Sequence, residues 1–202
     1  MFEIIAVTDR RLSPENFLDQ IKAVASSGVD GIVLREKDLC IEEYEKLALQ
    51  VSAVCEAGGT NFIVHQFIDA AEKLRSRRIH LPLAALEKEI DIKKKLSGVQ
   101  VGVSIHSAEE GCRAAAQGAD YLIAGHIFKT QSKEGAEGRG LFFLEEIAKR
   151  FSLPVYAIGG INAGNIRSVK DAGASGVCVL SPYMQSARPA ALTFGFRSAL
   201  QG

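Results

Sequence analysis

Two segments decide the fold, namely Val155-Tyr156-Ala157-Ile158-Gly159-Gly160-Ile161-Asn162 and the later Gly176-Val177-Cys178-Val179-Leu180-Ser181. Each segment begins as an apolar run rich in β-branched residues, which is typical of a buried strand, and ends at small residues. Asn162 and Ser181 are suitable helix N-caps, and Pro182 suits the first position of a helix. Both segments therefore indicate a buried strand that is followed directly by a helix.

The ends of these two strands also favour an anion site. Glycines after a strand let backbone N–H groups approach an anion closely, and the N-terminus of a helix favours negative charge. In a (β/α)₈ barrel, the loops after the last two strands commonly bind phosphate. Gly159, Gly160 and Ser181 are therefore predicted to bind a phosphate group. The simpler alternative is that the two glycines only form a tight turn.

The same alternation of short apolar runs and longer amphipathic runs extends over the whole chain. Earlier strands are predicted at residues 2–7, 31–34, 61–64, 78–81, 100–105 and 121–124. Helices are predicted after a cap at Ser13, at 41–57, 68–74 and 83–96, from Ser107 to about Gly118, at 141–151, and from about 183 to 200. Strict alternation of strands and helices implies parallel strands.

The number of units selects the architecture. Eight strand–helix units of about 25 residues each fit a chain of 202 residues. We therefore predict a single compact (β/α)₈ TIM barrel, rather than an open doubly wound sheet, with residues 1–202 as one domain. Because a barrel places its active site at the carboxyl ends of the strands, the residues directly after each strand are the candidate functional residues.

The composition and the cysteine pattern predict a soluble cytoplasmic protein. Lys+Arg and Asp+Glu both total 24, so no overall charge favours nucleic acid or a membrane surface. The four cysteines form no C-x-x-C pair, which argues against a zinc ribbon or a redox dithiol and is typical of buried thiols in a reducing compartment. No basic leader and no apolar run of membrane-spanning length is present in the sequence.

Two loops carry candidate residues. Strand two ends in Leu34-Arg35-Glu36-Lys37-Asp38, where Arg35 can point into the barrel mouth and bind a carboxylate or phosphate through its two-pronged guanidinium. A solvated charged loop is the alternative. The long loop after strand six places His126 over the mouth, where imidazole can move a proton near neutral pH. Thr130 and Lys133 on that loop are predicted to contact a second anionic group.

The remaining histidines leave a metal site open as an alternative. His65 follows strand three, His80 lies in strand four, and His106 follows strand five. However, the sequence contains neither His-x-His nor His-Glu-x-x-His spacing, so we predict no metal.

The chain resembles the thiamine phosphate synthase superfamily over nearly its whole length. The matching segments are residues 33–37, 102–107, 118–121, 128–133 and 157–161. The resemblance implies a barrel that binds a phosphorylated thiamine precursor, and commonly a homodimer. Substrate contacts are then expected from nine residues, namely Arg35, Lys37, Ser104, His106, Thr130, Lys133, Gly159, Gly160 and Ser181.

Two departures from the synthase pattern favour another reaction. Synthases have Asn-Asp after strand three and Asp after strand four, whereas this chain has His65-Gln66 and the apolar run 81–85. Because Mg²⁺ prefers oxygen ligands, chiefly carboxylates and phosphates, these replacements argue against diphosphate chemistry. Synthases also have Gly-Pro after strand six, where this chain has Gly125-His126, as in the thiazole tautomerase (TenI) branch.

This branch resemblance implies a specific activity. The expected reaction is aromatisation of a carboxythiazole phosphate tautomer by proton transfer, with His126 as the catalytic residue and with no metal or cofactor. Two alternatives stay open. The first is Mg²⁺-dependent thiamine phosphate synthase activity, and the second is a non-catalytic barrel that binds a phosphate of the thiamine pathway and regulates a partner.

Overall fold

The computed structural model describes residues 1–13, 16–130 and 137–201. Within these residues, eight parallel strands form one closed barrel in which each strand pairs with the next along the chain and the last pairs with the first. The strands are β1 (Glu3–Val7), β2 (Gly31–Leu34), β3 (Asn61–His65), β4 (Arg78–Pro82), β5 (Gln100–Ile105), β6 (Tyr121–Gly125), β7 (Val155–Ile158) and β8 (Gly176–Val179). The predicted (β/α)₈ barrel is confirmed.

At least one helix follows every strand in the described residues. The helices are α1 (Phe17–Ala25), α2 (Ile41–Ala57), α3 (Ile68–Lys73), α4 (Leu83–Leu86), α5 (Ile92–Lys95), α6 (Ala108–Ala116), α7 (Gly140–Arg150), α8 (Ile166–Asp171), α9 (Ser181–Gln185) and α10 (Pro189–Gln201). A 3₁₀ helix at Arg10–Leu12 also follows β1. Among these helices, none is long and apolar enough to cross a membrane.

Two predicted helices are each divided in two. The predicted helix at 83–96 is interrupted after α4, and a second helix begins where the Asp91 carboxylate accepts a hydrogen bond from the Lys94 N–H at 3.1 Å. The predicted helix at 183–200 is also interrupted, because α10 begins at Pro189, whose fixed φ and missing N–H suit a first helical position. The other predicted strand and helix ends agree with the structure to within about two residues.

Three predicted caps are wrong. The side chain of Asn16, rather than Ser13, caps α1 by accepting from a backbone N–H at 3.0 Å. Asn165, rather than Asn162, is the residue before α8. Ser181 is the first residue inside α9 instead of its N-cap. In each case the helix begins later or earlier by a few residues, while the strand before it keeps its place.

Strand residues alternate between two apolar regions because successive side chains point to opposite faces of the sheet. One set packs between the barrel and the surrounding helices, where residues such as Ile4, Ile32 and Val64 are fully buried. The other set fills the barrel interior, and its members are Ile5, Val7, Val33, Ile63, Tyr121, Ile123, Tyr156 and Cys178. The interior is therefore a packed core that leaves space only toward the ends of the strands.

A charged network closes the amino-terminal end of the interior. Arg78 donates to the Glu3 carboxylate at 3.0 Å and to the Tyr156 hydroxyl at 3.1 Å, and that hydroxyl donates to Glu3 at 2.8 Å. The Arg78 guanidinium also lies over the Tyr121 ring, 4.8 Å from its centroid. This end of the barrel is filled by side chains that neutralise one another, so the open space lies at the other end.

Candidate active site

A cavity of about 600 Å³ lies at the carboxyl ends of the strands. Its described lining contains three cationic side chains and four histidines, together with small hydroxyl residues and the two glycines after β7. No Asp or Glu is present among the described residues that line it. The cavity therefore favours an anionic ligand, because its lining supplies positive charge and hydrogen-bond donors.

Two of the cations follow β2. Arg35 is half-buried and Lys37 is exposed, and both line the cavity. The hydroxyl of Thr8 accepts from the Arg35 N–H at 2.9 Å and donates to the buried Glu36 carboxylate at 2.5 Å. Glu36 also accepts from the backbone N–H of Arg10 at 3.1 Å. These bonds fix the backbone from which Arg35 and Lys37 project.

Gly159 and Gly160 allow a close approach between the end of β7 and the loop after β6. Their φ angles of +102° and +68° lie in the left-handed region that favours glycine. A Cβ atom on Gly159 would lie 2.4 Å from the His126 Cβ, and one on Gly160 would lie 2.6 Å from the Lys129 carbonyl oxygen. Both glycines are therefore required by backbone conformation and by space.

The same turn presents backbone donors to the cavity. The Gly160 carbonyl oxygen accepts from the Asn165 side-chain amide at 2.9 Å, which fixes the turn. Within the described part of the chain, the N–H groups of Gly160 and Ile161 donate no hydrogen bond. Ser181, at the start of α9, follows β8, the strand that pairs with β7, and it also lines the cavity. These groups can receive the oxygen atoms of a phosphate.

His126 is held beside this turn. It is the residue directly after β6, it is 9% exposed, and the Gly125–His126 peptide bond is cis. The N–H groups of Ile127 and Phe128 donate to the last carbonyl of β7 at 2.9 Å and to the Gly159 carbonyl at 3.0 Å. The loop thus runs along β7, and these bonds hold the backbone of His126 beside the glycine turn at the cavity.

His106 lies on the neighbouring strand end, and its tautomer is defined by its partner. Its Nδ1 atom is 2.8 Å from the Gly125 carbonyl oxygen. Because a carbonyl oxygen can only accept, Nδ1 carries the hydrogen and Nε2 is the atom that can take up a proton. The backbone N–H of His106 donates to Glu110 at 2.5 Å, which fixes the strand end. A second imidazole thus lines the cavity in a defined orientation.

His65 and His80 form the floor of the cavity and are buried. Their ring centroids are 6.0 Å apart, and His80 Nε2 lies 2.7 Å from the Ser104 hydroxyl oxygen. Burial, together with the positive charge of Arg35, lowers the pKa of His65 to about 2 and that of His80 to about 3. Both imidazoles are therefore neutral at physiological pH.

The cavity brings together every predicted site residue that the structure describes. These residues are Arg35, Lys37, Ser104, His106, His126, Thr130, Gly159, Gly160 and Ser181. The remaining predicted residue, Lys133, lies outside the described residues. The lining also includes residues that were not predicted as site residues, namely His65, His80, Lys129 and Gln185. Every second residue of a barrel strand points into the interior, and this alternation along β3 and β4 could have indicated His65 and His80. No comparable pattern placed Lys129 and Gln185 at the site.

The donor atoms of the cavity do not fit a protein-held Mg²⁺ ion. Mg²⁺ prefers oxygen ligands in octahedral geometry, usually including one or two carboxylates. In the described ranges, no three His, Cys, Asp or Glu side chains are grouped so that they could hold a metal ion. The strand-three and strand-four ends instead present the neutral rings of His65 and His80.

Two similar proteins of known sequence carry the same kind of name. A thiamine-phosphate synthase of Desulfitobacterium hafniense (strain Y51) is 37% identical over 201 residues, which cover 96% of this chain and 95% of that protein. A putative thiamine-phosphate synthase 2 of Aquifex aeolicus (strain VF5) is 33% identical over 182 residues, covering 90% of this chain and 97% of that protein. Both relatives match along nearly their full lengths.

Comparison with solved structures agrees with the sequence comparison. A thiamine phosphate pyrophosphorylase from Pyrococcus furiosus superposes with a TM-score of 0.84 at 28% identity, covering 99% of this chain and 96% of that one. A 3-hexulose-6-phosphate synthase, with a TM-score of 0.71 at 19% identity, shares the fold. The family model described as thiamine monophosphate synthase (TMP-TENI) matches residues 4–182. This chain belongs to the thiamine monophosphate synthase family.

Proposed function

We propose that this chain is a metal-independent thiazole tautomerase, an isomerase that aromatises a carboxythiazole phosphate tautomer in thiamine biosynthesis. One observation carries the proposal. The cavity combines a buried histidine, His126, with a glycine turn and with cations at the β2 end, and its described lining has no carboxylate. This combination suits proton transfer on a substrate that carries both a phosphate and a carboxylate.

The two anionic groups of the substrate would occupy different parts of the cavity. The phosphate would accept from the N–H groups of Gly160 and Ile161 and from the Ser181 hydroxyl, because backbone donors beside a helix start favour phosphate. The carboxylate would pair with Arg35, whose planar guanidinium matches a carboxylate with two parallel hydrogen bonds. Lys37 would add positive charge at the same strand end.

The loop after β6 would complete the substrate site. Thr130 lines the cavity, and its hydroxyl is proposed to contact the second anionic group of the substrate. Lys133 is proposed to contact the substrate from the same loop.

His126 would carry the proton. Its imidazole takes the hydrogen from a saturated ring carbon, and the electron pair of that C–H bond moves into the ring. The exocyclic double bond then shifts inward, and the exocyclic carbon takes up the proton from the imidazolium. One proton is removed and one is added, so the step needs no oxidant and no covalent nucleophile. A positioned acid–base group of this kind contributes about 10²–10⁴-fold to the rate.

The second candidate is thiamine-phosphate synthase activity. The names of the relatives favour it, because both relatives described above are named synthases. The described cavity lining opposes it, since Mg²⁺ would find no carboxylate there. A regulatory barrel without turnover is the third candidate, and a histidine at position 126 argues against it because binding alone needs no proton carrier.

One experiment separates these candidates. The purified protein is incubated with the thiazole tautomer, and separately with pyrimidine diphosphate, thiazole phosphate and Mg²⁺. We expect the aromatic carboxythiazole phosphate in the first reaction and no thiamine phosphate in the second. Product in the second reaction alone would replace the tautomerase by the synthase. Binding of the thiazole without product in either reaction would favour the regulatory barrel.

The His126→Asn variant tests the catalytic assignment. Asparagine keeps polarity and approximate size but cannot titrate, so the rate should fall by about 10²–10⁴, which is roughly 3–5 kcal/mol in the barrier. Affinity for the aromatic product, measured by calorimetry, should stay within about three-fold because the anion contacts are unchanged. If the variant keeps more than about a tenth of the rate, His106 becomes the proton carrier to test.

We further propose a cytoplasmic homodimer that binds neither nucleic acid nor membranes. Equal numbers of cationic and acidic residues support the absence of a polyanionic partner. Light scattering at several protein concentrations tests the dimer, and a mass of 21.7 kDa throughout would contradict it.

A further inference from the structure

His80 and Ser104 form a side-chain pair that the catalytic step leaves unused. His80 lies on β4 and Ser104 on the adjacent β5, and their Nε2 and Oγ atoms are 2.7 Å apart. Both residues line the cavity, but His80 is 4% exposed whereas Ser104 is more open. The imidazole therefore supports the hydroxyl from below, and the hydroxyl faces the substrate space.

The surroundings of His80 determine which nitrogen carries its hydrogen. Burial and the nearby charges of Arg35 and Arg78 lower the pKa of His80, so the ring is neutral and carries one hydrogen. Its Nδ1 atom is buried and has no hydrogen-bond partner in the described residues. A buried N–H without an acceptor is rarer in proteins than an under-used acceptor. The hydrogen therefore belongs on Nε2, where Ser104 can accept it.

This tautomer determines what the serine can do. If Nε2 donates to Ser104, the hydroxyl oxygen accepts that bond and its own hydrogen must point elsewhere. Ser104 makes no other hydrogen bond within the described residues. Its hydrogen is therefore available to the cavity as a donor.

We infer that His80 is a positioning residue that directs the Ser104 hydroxyl to donate to the substrate carboxylate. The identity of that substrate rests on the proposed tautomerase function. A carboxylate is the expected acceptor because the wall of the cavity begins with the cations Arg35 and Lys37 after β2, continues through β3 and β4 to Ser104 on β5, and contains no acidic side chain among its described residues. The residues proposed to bind the phosphate, the glycine turn and Ser181, follow two other strands, β7 and β8.

The tautomer is tested first, on the unmodified full chain. Long-range ¹H–¹⁵N spectra of ¹⁵N-histidine-labelled protein distinguish a protonated from an unprotonated ring nitrogen. We expect His80 to be the Nε2–H tautomer at pH 7, and its resonances are assigned by comparison with His80→Leu. An Nδ1–H tautomer, or a doubly protonated ring, would overturn the inference without any measurement of activity.

The role of the pair is tested by binding two ligands that differ only in the carboxylate. Calorimetry compares carboxythiazole phosphate with the same thiazole phosphate lacking that group. Ser104→Ala and His80→Leu should each weaken the first ligand by about ten-fold or more, since a charge-assisted hydrogen bond is lost. The second ligand should change by less than about two-fold, and the double variant should lose no more than either single one.

His65→Leu is the matched control. It makes the same substitution on the next strand, in a buried histidine that has no hydrogen bond to Ser104. It should leave the ratio of the two affinities unchanged. Additive losses in the double variant, or equal losses for both ligands, would overturn the positioning role.

The binding experiment distinguishes failure of the proposed tautomerase function from failure of the positioning role of His80. If neither the carboxylated nor the uncarboxylated thiazole binds wild-type protein, the proposed function is wrong, and the tautomer of His80 still decides whether the pair is arranged as inferred. If both ligands bind and the variants do not discriminate between them, the proposed function survives and the positioning role is rejected. If a variant fails to fold, the spectrum of the wild-type protein still provides the decision.

Discussion

The two ends of the barrel interior each contain one arginine in a different environment. At the amino-terminal end, Arg78 is 8% exposed and is paired with Glu3 and Tyr156. Burial alone would lower the pKa of Arg78, but the Tyr121 ring and these two partners outweigh it and raise that pKa above its usual value. The charge at this end is neutralised by the protein itself.

At the carboxyl-terminal end, Arg35 has no such partner. Within the described residues it forms no ion pair, and burial lowers its pKa, with Asp9 and Glu36 offsetting part of that effect. A partly buried charge that the protein leaves without a partner is stabilised when an anion binds. The comparison shows that a similar interior arginine supports the fold at one end and favours a ligand at the other.

The largest expected effect on stability at neutral pH concerns Arg78. Arg78→Leu leaves the partly exposed Glu3 carboxylate with the Tyr156 hydroxyl but without its cation, so the free energy of unfolding should fall by about 2–3 kcal/mol. Arg35→Leu removes a charge that forms no ion pair with the described residues and should change the free energy of unfolding by less than about 1 kcal/mol. Urea unfolding followed by circular dichroism measures both.

A double variant controls for lost packing. Adding Glu3→Gln to Arg78→Leu removes the uncompensated carboxylate and should recover part of the lost stability. Equal losses for Arg78→Leu and Arg35→Leu would mean that the two ends of the barrel do not differ as described.

The next effect concerns affinity at the Arg35 end. Arg35→Lys keeps the charge but loses the planar fork, so the KM for the thiazole tautomer should rise by about ten-fold or more, in line with a charged hydrogen bond of about 1.5–3 kcal/mol. Lys37→Arg is the matched exchange on the same loop and should alter KM by less than about three-fold, because it retains the positive charge. A near-normal KM for Arg35→Lys would make Arg35 an ordinary solvated charge.

The fold was predictable because strand signals are local. The β-branched run at 155–158 and the glycine-bounded run at 31–34 both form strands with the predicted ends. Helix interruptions were less visible, since Asp91 and Pro189 start new helices inside stretches whose apolar spacing continues. Periodicity predicts that an element exists, whereas tertiary packing decides where it is interrupted.

The site residues that directly follow strands could be predicted from the sequence. Arg35 and His126 directly follow strands, so barrel geometry alone places them at the cavity. Gly159 and Gly160 were predicted as an anion site, but they also provide space for the His126 loop. That second role depends on contact between residues about 30 positions apart in sequence, which no local pattern encodes.

A pH-dependent effect on stability is expected from the two histidines between the barrel ends. Their pKa values of about 2 for His65 and about 3 for His80 lie below the usual histidine value of about 6.5. The unfolded chain therefore binds more protons than the folded one between about pH 3 and 6.5, and stability is lost as pH falls through this window. Each histidine contributes a slope of up to about 1.4 kcal/mol per pH unit.

The control is a variant without these groups. A His65→Leu/His80→Leu double variant should show a shallower loss of stability than the wild type between pH 6.5 and about 4. Arg35, Lys37 and Arg78 carry the positive charge that acts on the two rings, and all three remain charged throughout this range. Identical slopes for both proteins would show that these histidines become protonated in the fold.

The smallest expected effect is that of chelation. Exhaustive EDTA treatment should leave tautomerase turnover unchanged, because the carboxylate that enters the barrel interior, Glu3, lies at the opposite end and is already bound to Arg78. A protein-held Mg²⁺ ion at the cavity would need oxygen ligands that its described lining does not supply. Measuring turnover before and after treatment, with Mg²⁺ added back, decides the matter. Activity that disappears with EDTA and returns with Mg²⁺ would mean that substrate phosphates recruit the metal, and the synthase reaction would then be favoured over the tautomerase.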